Sequence, residues 1–405
     1  MTERALDGIR ILDFTRVFAG PFTTQLLGDL GAEVIKIEPP EGDEVRTYMV
    51  RDPGDTSAAF LAFNRNKRSV SLDIKTAHGR EAIRRLVLES DVLVENFRPG
   101  VMERLGIGPD DVLPENPALI YCRISGFGRG GRFAGKAAND IVVQAFSGLM
   151  SVLGHEGDDP VRSPAAVADL SAGLYATVGI LAALNQRHTT GRGQVIETTL
   201  HGSLVAMMSH VFAEYWETGV EPRKIGSRVY YGSPNQAFPT SDGFVVIAAI
   251  SDRNWARCCE ALGAAQLARD PRFVSQELRD RNREALVDEV SRLTSALTSS
   301  DCIDSLESFG VSCAPVRGVA EVASDGLLED LDCVMQIDVG GRTSSVIGSP
   351  VRLAESPTPA SGTLPGIGDH TAEVLRSVGF EPAEVDSVLT HNREVLAESI
   401  EKRSP

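Results

Sequence analysis

The strongest constraint on this chain is a repeating alternation over its first 125 residues of short apolar runs with amphipathic helical stretches. Residues 9–14 read as a strand. Pro21 opens a helix over 22–30 that Gly31 stops, and residues 33–38 form a second strand ended by Pro39-Pro40. The pattern recurs with a strand at 69–74, a helix at 76–89, and strands at 91–95 and 118–125. Strands alternating with helices of this length predict right-handed βαβ units and an α/β fold on a parallel sheet. Ligands of such sheets bind beyond the carboxyl ends of the strands. The loops 15–20, 96–100 and 126–135 are therefore where a site is expected.

Further along, residues 163–193 read as one long helical segment, followed by a strand at 194–199 and a helix to about Trp216. Residues 221–233 are polar and aperiodic, as in a crossing linker. The texture then changes. A hairpin is predicted from 235–238 and 244–250 around the turn Ser241-Asp242-Gly243, with helices at 253–262, 282–297 and 300–308 and a strand at 312–317. Past Val334 come strand-like pieces, a Pro- and Ser-rich stretch at 349–365, and two short helices near 371–378 and 382–389. The predicted division is a large parallel-sheet domain from 1–220 and 331–405 around a smaller α+β domain at 221–330.

Composition narrows the function classes. Forty basic against 56 acidic residues leave a net charge of −16, which repels a phosphate backbone and argues against nucleic acid as a partner. The six cysteines are scattered without a C-x-x-C pair or a zinc-like spacing, so no metal site is expected, and free thiols suit a cytoplasmic protein. No apolar stretch follows a basic start at the amino terminus. The most apolar run, 170–184, is short for a bilayer and rich in Ala, Gly, Ser and Thr; it reads as a buried core helix, with no membrane partner expected.

Several familiar motifs fail on inspection. Gly126-Phe127-Gly128-Arg129-Gly130-Gly131 has G-x-G-x-x-G spacing after a strand, but no helix follows it and Asp140 comes too soon for the ribose acid. No P-loop and no G-x-S-x-G occurs. The seven histidines show no metal spacing. Basic residues do gather near the strand-end loops: Arg65, Lys67, Arg68, Lys75, Arg98, Arg104, Arg129, Arg132 and Lys136. They read either as solvated surface or as a set able to hold a phosphorylated ligand.

Asp169 is the single acid between Asp159 and Glu197, set among small and apolar residues at the head of the long helix. It can be an N-cap, which accepts amide hydrogen bonds. It can also be a carboxylate nucleophile, ionised at neutral pH if its pKa is near 4 and needing no general base.

The phrases Leu12-Asp13-Phe14-Thr15-Arg16-Val17-Phe18-Ala19-Gly20-Pro21, Leu30-Gly31-Ala32-Glu33-Val34-Ile35-Lys36-Ile37-Glu38, Asn64-Arg65-Asn66-Lys67-Arg68, Val94-Glu95-Asn96-Phe97-Arg98-Pro99-Gly100 and Thr190-Gly191-Arg192-Gly193-Gln194 resemble the class III CoA-transferases, the CaiB/BaiF or formyl-CoA transferase family. The resemblance spans about residues 6–380. It implies a Rossmann-like large domain, a smaller α+β domain and an interlocked homodimer. It aligns Asp169 with the family nucleophile, which forms an aspartyl-acyl anhydride and then an aspartyl-CoA thioester. Asp140 matches an acid near the reacting centre, and Gly232 is a candidate oxyanion donor. Contacts to coenzyme A, a thioester substrate and not a bound cofactor, would fall on Arg16, Val17, Ala19, Leu72, Lys75, Asn96, Phe97, Arg104 and Lys136.

Departures from the pattern bear on the substrate. Formate- and oxalate-specific members carry Gln where this chain has Phe18, and a glycine run where it has Gly232-Ser233-Pro234-Asn235. Members that racemise 2-methylacyl-CoA carry a His-Asp pair where this chain has Asn139-Asp140. The wording is closest to succinyl-CoA:dicarboxylate transferases, so the acceptor expected is a small organic acid. An acyl-CoA racemase and a non-catalytic acyl-CoA binder are the alternatives.

Overall fold

The computed structural model describes residues 4–48, 50, 56–359 and 361–403. By its internal contacts the chain divides into two units. The first holds residues 1–149, 162–219 and 328–405, and the second holds 150–161 and 220–327. The segment 150–161, placed with the large domain by the sequence reading, thus belongs to the second unit.

In the first unit six strands form one fully parallel sheet: β1 (Arg10–Asp13), β2 (Glu33–Glu38), β3 (Arg68–Ser71), β4 (Val92–Glu95), β5 (Ile120–Ser125) and β6 (Val195–Thr199). Their order is β3-β2-β1-β4-β5-β6, the doubly wound arrangement of dinucleotide-binding folds. In parallel sheets both faces are covered, and β1 to β5 are accordingly buried along most of their length, polar residues such as Lys36 and Ser69 included, while the edge strand β6 is partly exposed. Leu12, Ile35, Val70 and Leu93 enter one core with α2 (Ala77–Leu88) and the carboxyl-terminal helices. Ile11, Val34, Val92 and Ile120 enter the other, with α1 (Ala19–Asp29), α3 (Asp140–Phe146) and α4 (Val167–Thr190).

At 24 residues α4 falls within the helical segment 163–193 read from the sequence, and by length and composition it could cross a membrane. Its position explains the composition differently. Ala168, Ala172, Ala176, Ile180 and Ala183 form a buried stripe of small side chains that lets the helix lie close to α1 and the sheet. Gly173 is part of that approach, since a Cβ there would sit 2.8 Å from the Ala19 carbonyl oxygen.

The second unit contains an antiparallel sheet of β7 (Asn235–Pro239), β8 (Phe244–Ala248) and β9 (Ser312–Pro315), covered by helices at Asp252–Ala261, Arg283–Thr294 and Ser299–Ser308. The β7–β8 hairpin pairs Asn235 with Ala248, as the turn at 241–243 predicts. A third sheet, β10 (Val334–Val339), β11 (Arg342–Ile347) and β12 (Ser361–Thr363), returns the chain to the first unit. The final helix, Pro382–Arg403, runs 22 residues, well past the short element read from the sequence. Helix Ala58–Asn64, which the sequence reading omits, leads into β3.

Candidate active site

In this strand order the connections leave β1 and β4 in opposite directions, which opens a crevice at their carboxyl ends. A cavity of about 340 Å3 lies there. The loop after β1 lines it with Arg16, Val17, Phe18 and Ala19, and the loop after β4 with Asn96, Phe97, Arg98 and Pro99. Lys136, Asn139 and Asp169 line it as well. A second cavity of about 220 Å3 shares Arg16 and Phe97 and continues past Leu72, Asp73 and Lys75. Together they make a groove with Lys75 at one end and Asp169 at the other. A larger cavity of about 390 Å3 lies beside α2, lined by Ile83, Val87, Leu105 and Val112 with Glu81, Asp111 and Glu115 at its rim, away from the strand-end loops.

The groove brings together Arg16, Val17, Ala19, Leu72, Lys75, Asn96, Phe97, Lys136 and Asp169. Arg104 lines neither cavity; it is exposed at the end of the short helix Val101–Arg104. Gly232 belongs to the second unit, where its N–H donates to Asp280 Oδ2 at 3.3 Å.

Asp169 is not an N-cap. The cap position of α4 is Ala166, and Asp169 lies three residues on, in the first turn. The capping carboxylate comes from another helix. Asp140 Oδ1 accepts the N–H of Ala168 at 2.8 Å and that of Asp169 at 3.3 Å, while its Oδ2 accepts Gln144 Nε2 at 2.5 Å. The Asp169 carboxylate itself accepts no hydrogen bond among the described residues. Burial, helped by the Asp140 charge, pushes its pKa up to about 7. The expectation of a carboxylate near 4 is corrected accordingly: near neutrality this group exists in both forms, and its anion is poorly stabilised and correspondingly basic.

Two further features shape the groove. Asn96 braces the β1 loop with both ends of its side chain, Oδ1 accepting Arg16 N at 2.9 Å and Nδ2 donating to Arg16 O at 2.8 Å. The Lys136 ammonium stands 5.0 Å from the ring centre of Phe146 and 5.8 Å from that of Phe133, in a cluster with Phe127 and His201. Since α3 begins with Asp140 and ends with Phe146, one short helix touches both Asp169 and this lysine.

The basic set divides cleanly. Arg65 pairs with buried Asp29 at 2.6 Å, Lys67 with buried Asp13 at 3.0 Å, Arg68 with Glu33 and Glu373, and Arg129 with Glu103. These are committed to the fold and do not form a phosphate site. Among the described residues Arg16, Lys75, Arg98, Arg104, Arg132 and Lys136 carry no such pair and remain for a polyanion. The sequence reading also missed Glu95, a buried carboxyl at the end of β4 that accepts Phe97 N at 2.8 Å and that burial pushes up to about 7.

A family model described as CoA-transferase family III matches residues 6–371. The chain belongs to CoA-transferase family III. It is 37% identical over 381 residues to the succinyl-CoA:glutarate CoA-transferase of Homo sapiens, covering 93% of this chain and 86% of that one. To the succinyl-CoA:mesaconate CoA-transferase of Haloarcula hispanica it is 36% identical, covering 93% and 96%. A CAIB/BAIF family protein from Brucella suis superposes with a TM-score of 0.85 at 33% identity, covering 93% of this chain and all of that one. As a family III CoA-transferase the protein is an enzyme acting on CoA thioesters.

Proposed function

We propose that this enzyme moves coenzyme A from succinyl-CoA, or a similar short acyl-CoA, to a small dicarboxylic acid, with Asp169 as nucleophile. The relatives' substrates and the departures at Phe18 and Gly232 favour dicarboxylates over formate and oxalate. The observation that carries the reading is a half-buried carboxylate in the cavity that accepts no hydrogen bond among the described residues and that burial makes basic, as a carboxylate nucleophile requires.

In the first step an Asp169 oxygen attacks the thioester carbonyl carbon. The C–S bond breaks, and CoA thiolate leaves with the electron pair, giving a mixed anhydride. The thiolate then attacks the Asp169 carboxyl carbon and expels the donor acid, leaving an aspartyl-CoA thioester. The acceptor carboxylate displaces the thiolate from that carbon, and the thiolate attacks the acceptor's acyl carbon, freeing Asp169. Each step exchanges one acyl bond for another, so no proton is gained or lost overall. Oxyanions formed along the way need N–H donors. Phe18 and Ala19, which line the same cavity as Asp169, offer candidate N–H groups, whereas the N–H of Gly232, the candidate read from the sequence, is already given to Asp280.

CoA would lie along Arg16, Val17, Ala19, Leu72, Lys75, Asn96 and Phe97, with Lys136 and Arg104 supplying charge to its phosphates. Asp140 orients α4 and tunes Asp169. We further propose a cytoplasmic homodimer with interlocked chains. Val178, 62% exposed on α4, and Trp216, 74% exposed after it, are apolar surfaces suited to a second copy. A racemase reading is disfavoured, because Asn139 uses its side chain to cap α3, accepting Val142 N at 3.2 Å, and supplies no base.

Intact-protein mass spectrometry after mixing with a panel of CoA thioesters tests the reading. A covalent adduct on the wild type, absent in Asp169→Asn, is expected. A panel of common short thioesters that never marks the protein rejects it, and α-deuterium exchange without an acceptor acid would indicate a racemase instead.

A further inference from the structure

The loop between β1 and α1 has an unusual backbone and unusual supports. Val17 has φ +66°, a left-handed conformation that a β-branched residue rarely adopts and that persists only where its surroundings enforce it. The supports are two fully buried lysines, a residue type almost never buried without strong compensation. Lys36 donates to the Thr15 carbonyl at 2.8 Å and to Asp43 Oδ2 at 2.9 Å. Lys67 donates to the Pro21 carbonyl at 3.0 Å, and to Asp13 Oδ2 and Asn64 Oδ1 at the same distance. Asp13 ties the two sides together: its Oδ1 accepts Thr15 N at 2.8 Å and Thr15 Oγ1 at 2.5 Å, and its Oδ2 accepts Thr24 Oγ1 at 2.7 Å.

We propose that Lys36 and Lys67 are positioning residues, two buried ammonium groups that grip the carbonyls on either side of Val17 and so hold residues 16–19 against the thioester. The inference rests on the reading of this groove as the CoA site. A purely structural role would need only a packed core, and apolar residues of similar size serve a core as well or better than buried charges. Here each ammonium instead bonds a main-chain oxygen that flanks residues 16–19, one of the segments lining the cavity that contains Asp169. The β2 register explains why Lys36 can do so, since it lies directly opposite Asp13 on the face covered by α1.

The test removes the Lys36 grip without stranding a carboxylate, by pairing Lys36→Met with Asp43→Asn. The expected result is a folded enzyme whose KM for acyl-CoA rises tenfold or more, with Asp169 still acylated at saturation. Adding Val17→Gly should recover at least threefold of that loss, because glycine takes the left-handed conformation without being held there. A KM within threefold of wild type, or no recovery on adding Val17→Gly, overturns the proposal. Should the pair fail to fold, Thr15→Val removes one bond of the same clamp while leaving every charge paired, and an unchanged KM there overturns it equally. Calorimetry with free CoA separates the two levels. A wild type that does not bind CoA rejects both readings, whereas equal CoA affinity in wild type and variants rejects the positioning role alone.

Discussion

The Asp140 carboxylate caps the helix that carries Asp169, accepting the N–H of Asp169 itself at 3.3 Å and that of Ala168 at 2.8 Å. One acid thus organises the backbone of the other while opposing its ionisation. The carboxylate proposed as nucleophile is thus held in place by a group that keeps it basic.

Turnover should rise with pH through the neutral range. Below about 7 the Asp169 carboxyl is protonated and cannot attack. A plot of log kcat/KM for the acyl-CoA against pH should climb with unit slope and level off above about pH 7. A profile flat down to pH 5 would contradict the placement of this group.

Asp140→Asn should separate the two effects. The amide oxygen can still accept from Ala168, so the helix keeps its cap, but the negative charge is gone. The acid limb of the pH profile should move to lower pH. Asp140→Ala should additionally lower stability by about 1 kcal/mol, the ordinary worth of a cap, measured by urea denaturation.

Asp169→Asn should abolish transfer and adduct formation yet stabilise the fold. The folded-state pKa lies above the unfolded value of 3.8, so the native state is penalised progressively as pH rises from about 4 through about 7. Relative to wild type, the variant should gain roughly 2 °C or more in Tm at pH 8 and much less at pH 5. Equal gains at both pH values would show that Asp169 ionises freely in the wild type.

Gly126→Ala tests the loop that carries Lys136. A Cβ at 126 would meet the Cβ of Ala138 at 2.2 Å, too close for either backbone to stay where it is. The expected result is a rise in KM for acyl-CoA of about tenfold, comparable with loss of one charged contact, while kcat changes less.

Much of the fold was legible because a parallel sheet buried on both faces writes itself as apolar runs separated by helix starts and stops. Strands β1 to β5 follow from that signal, and the antiparallel β7–β8 hairpin from its turn at Ser241-Asp242-Gly243. The length of the last helix was not, since Pro382–Arg403 is largely polar. The site was legible where side chains follow strand ends, as with Arg16, Asn96 and Phe97. It was illegible where burial decides the role. Lys67 and Lys75 look alike in a sequence, but one is sealed against Asp13 and the other is exposed in the groove. Nor could spacing reveal that the cap of Asp169's helix comes from 28 residues upstream of Ala168.

Helix α3 spans only seven residues, with Asp140 at its start and Phe146 beneath Lys136 at its end. A body this short is rigid, so its two ends cannot move independently. On the proposed reading, the group that would receive a substrate phosphate and the group that would attack its acyl carbon thus rest on opposite ends of the same two turns of backbone.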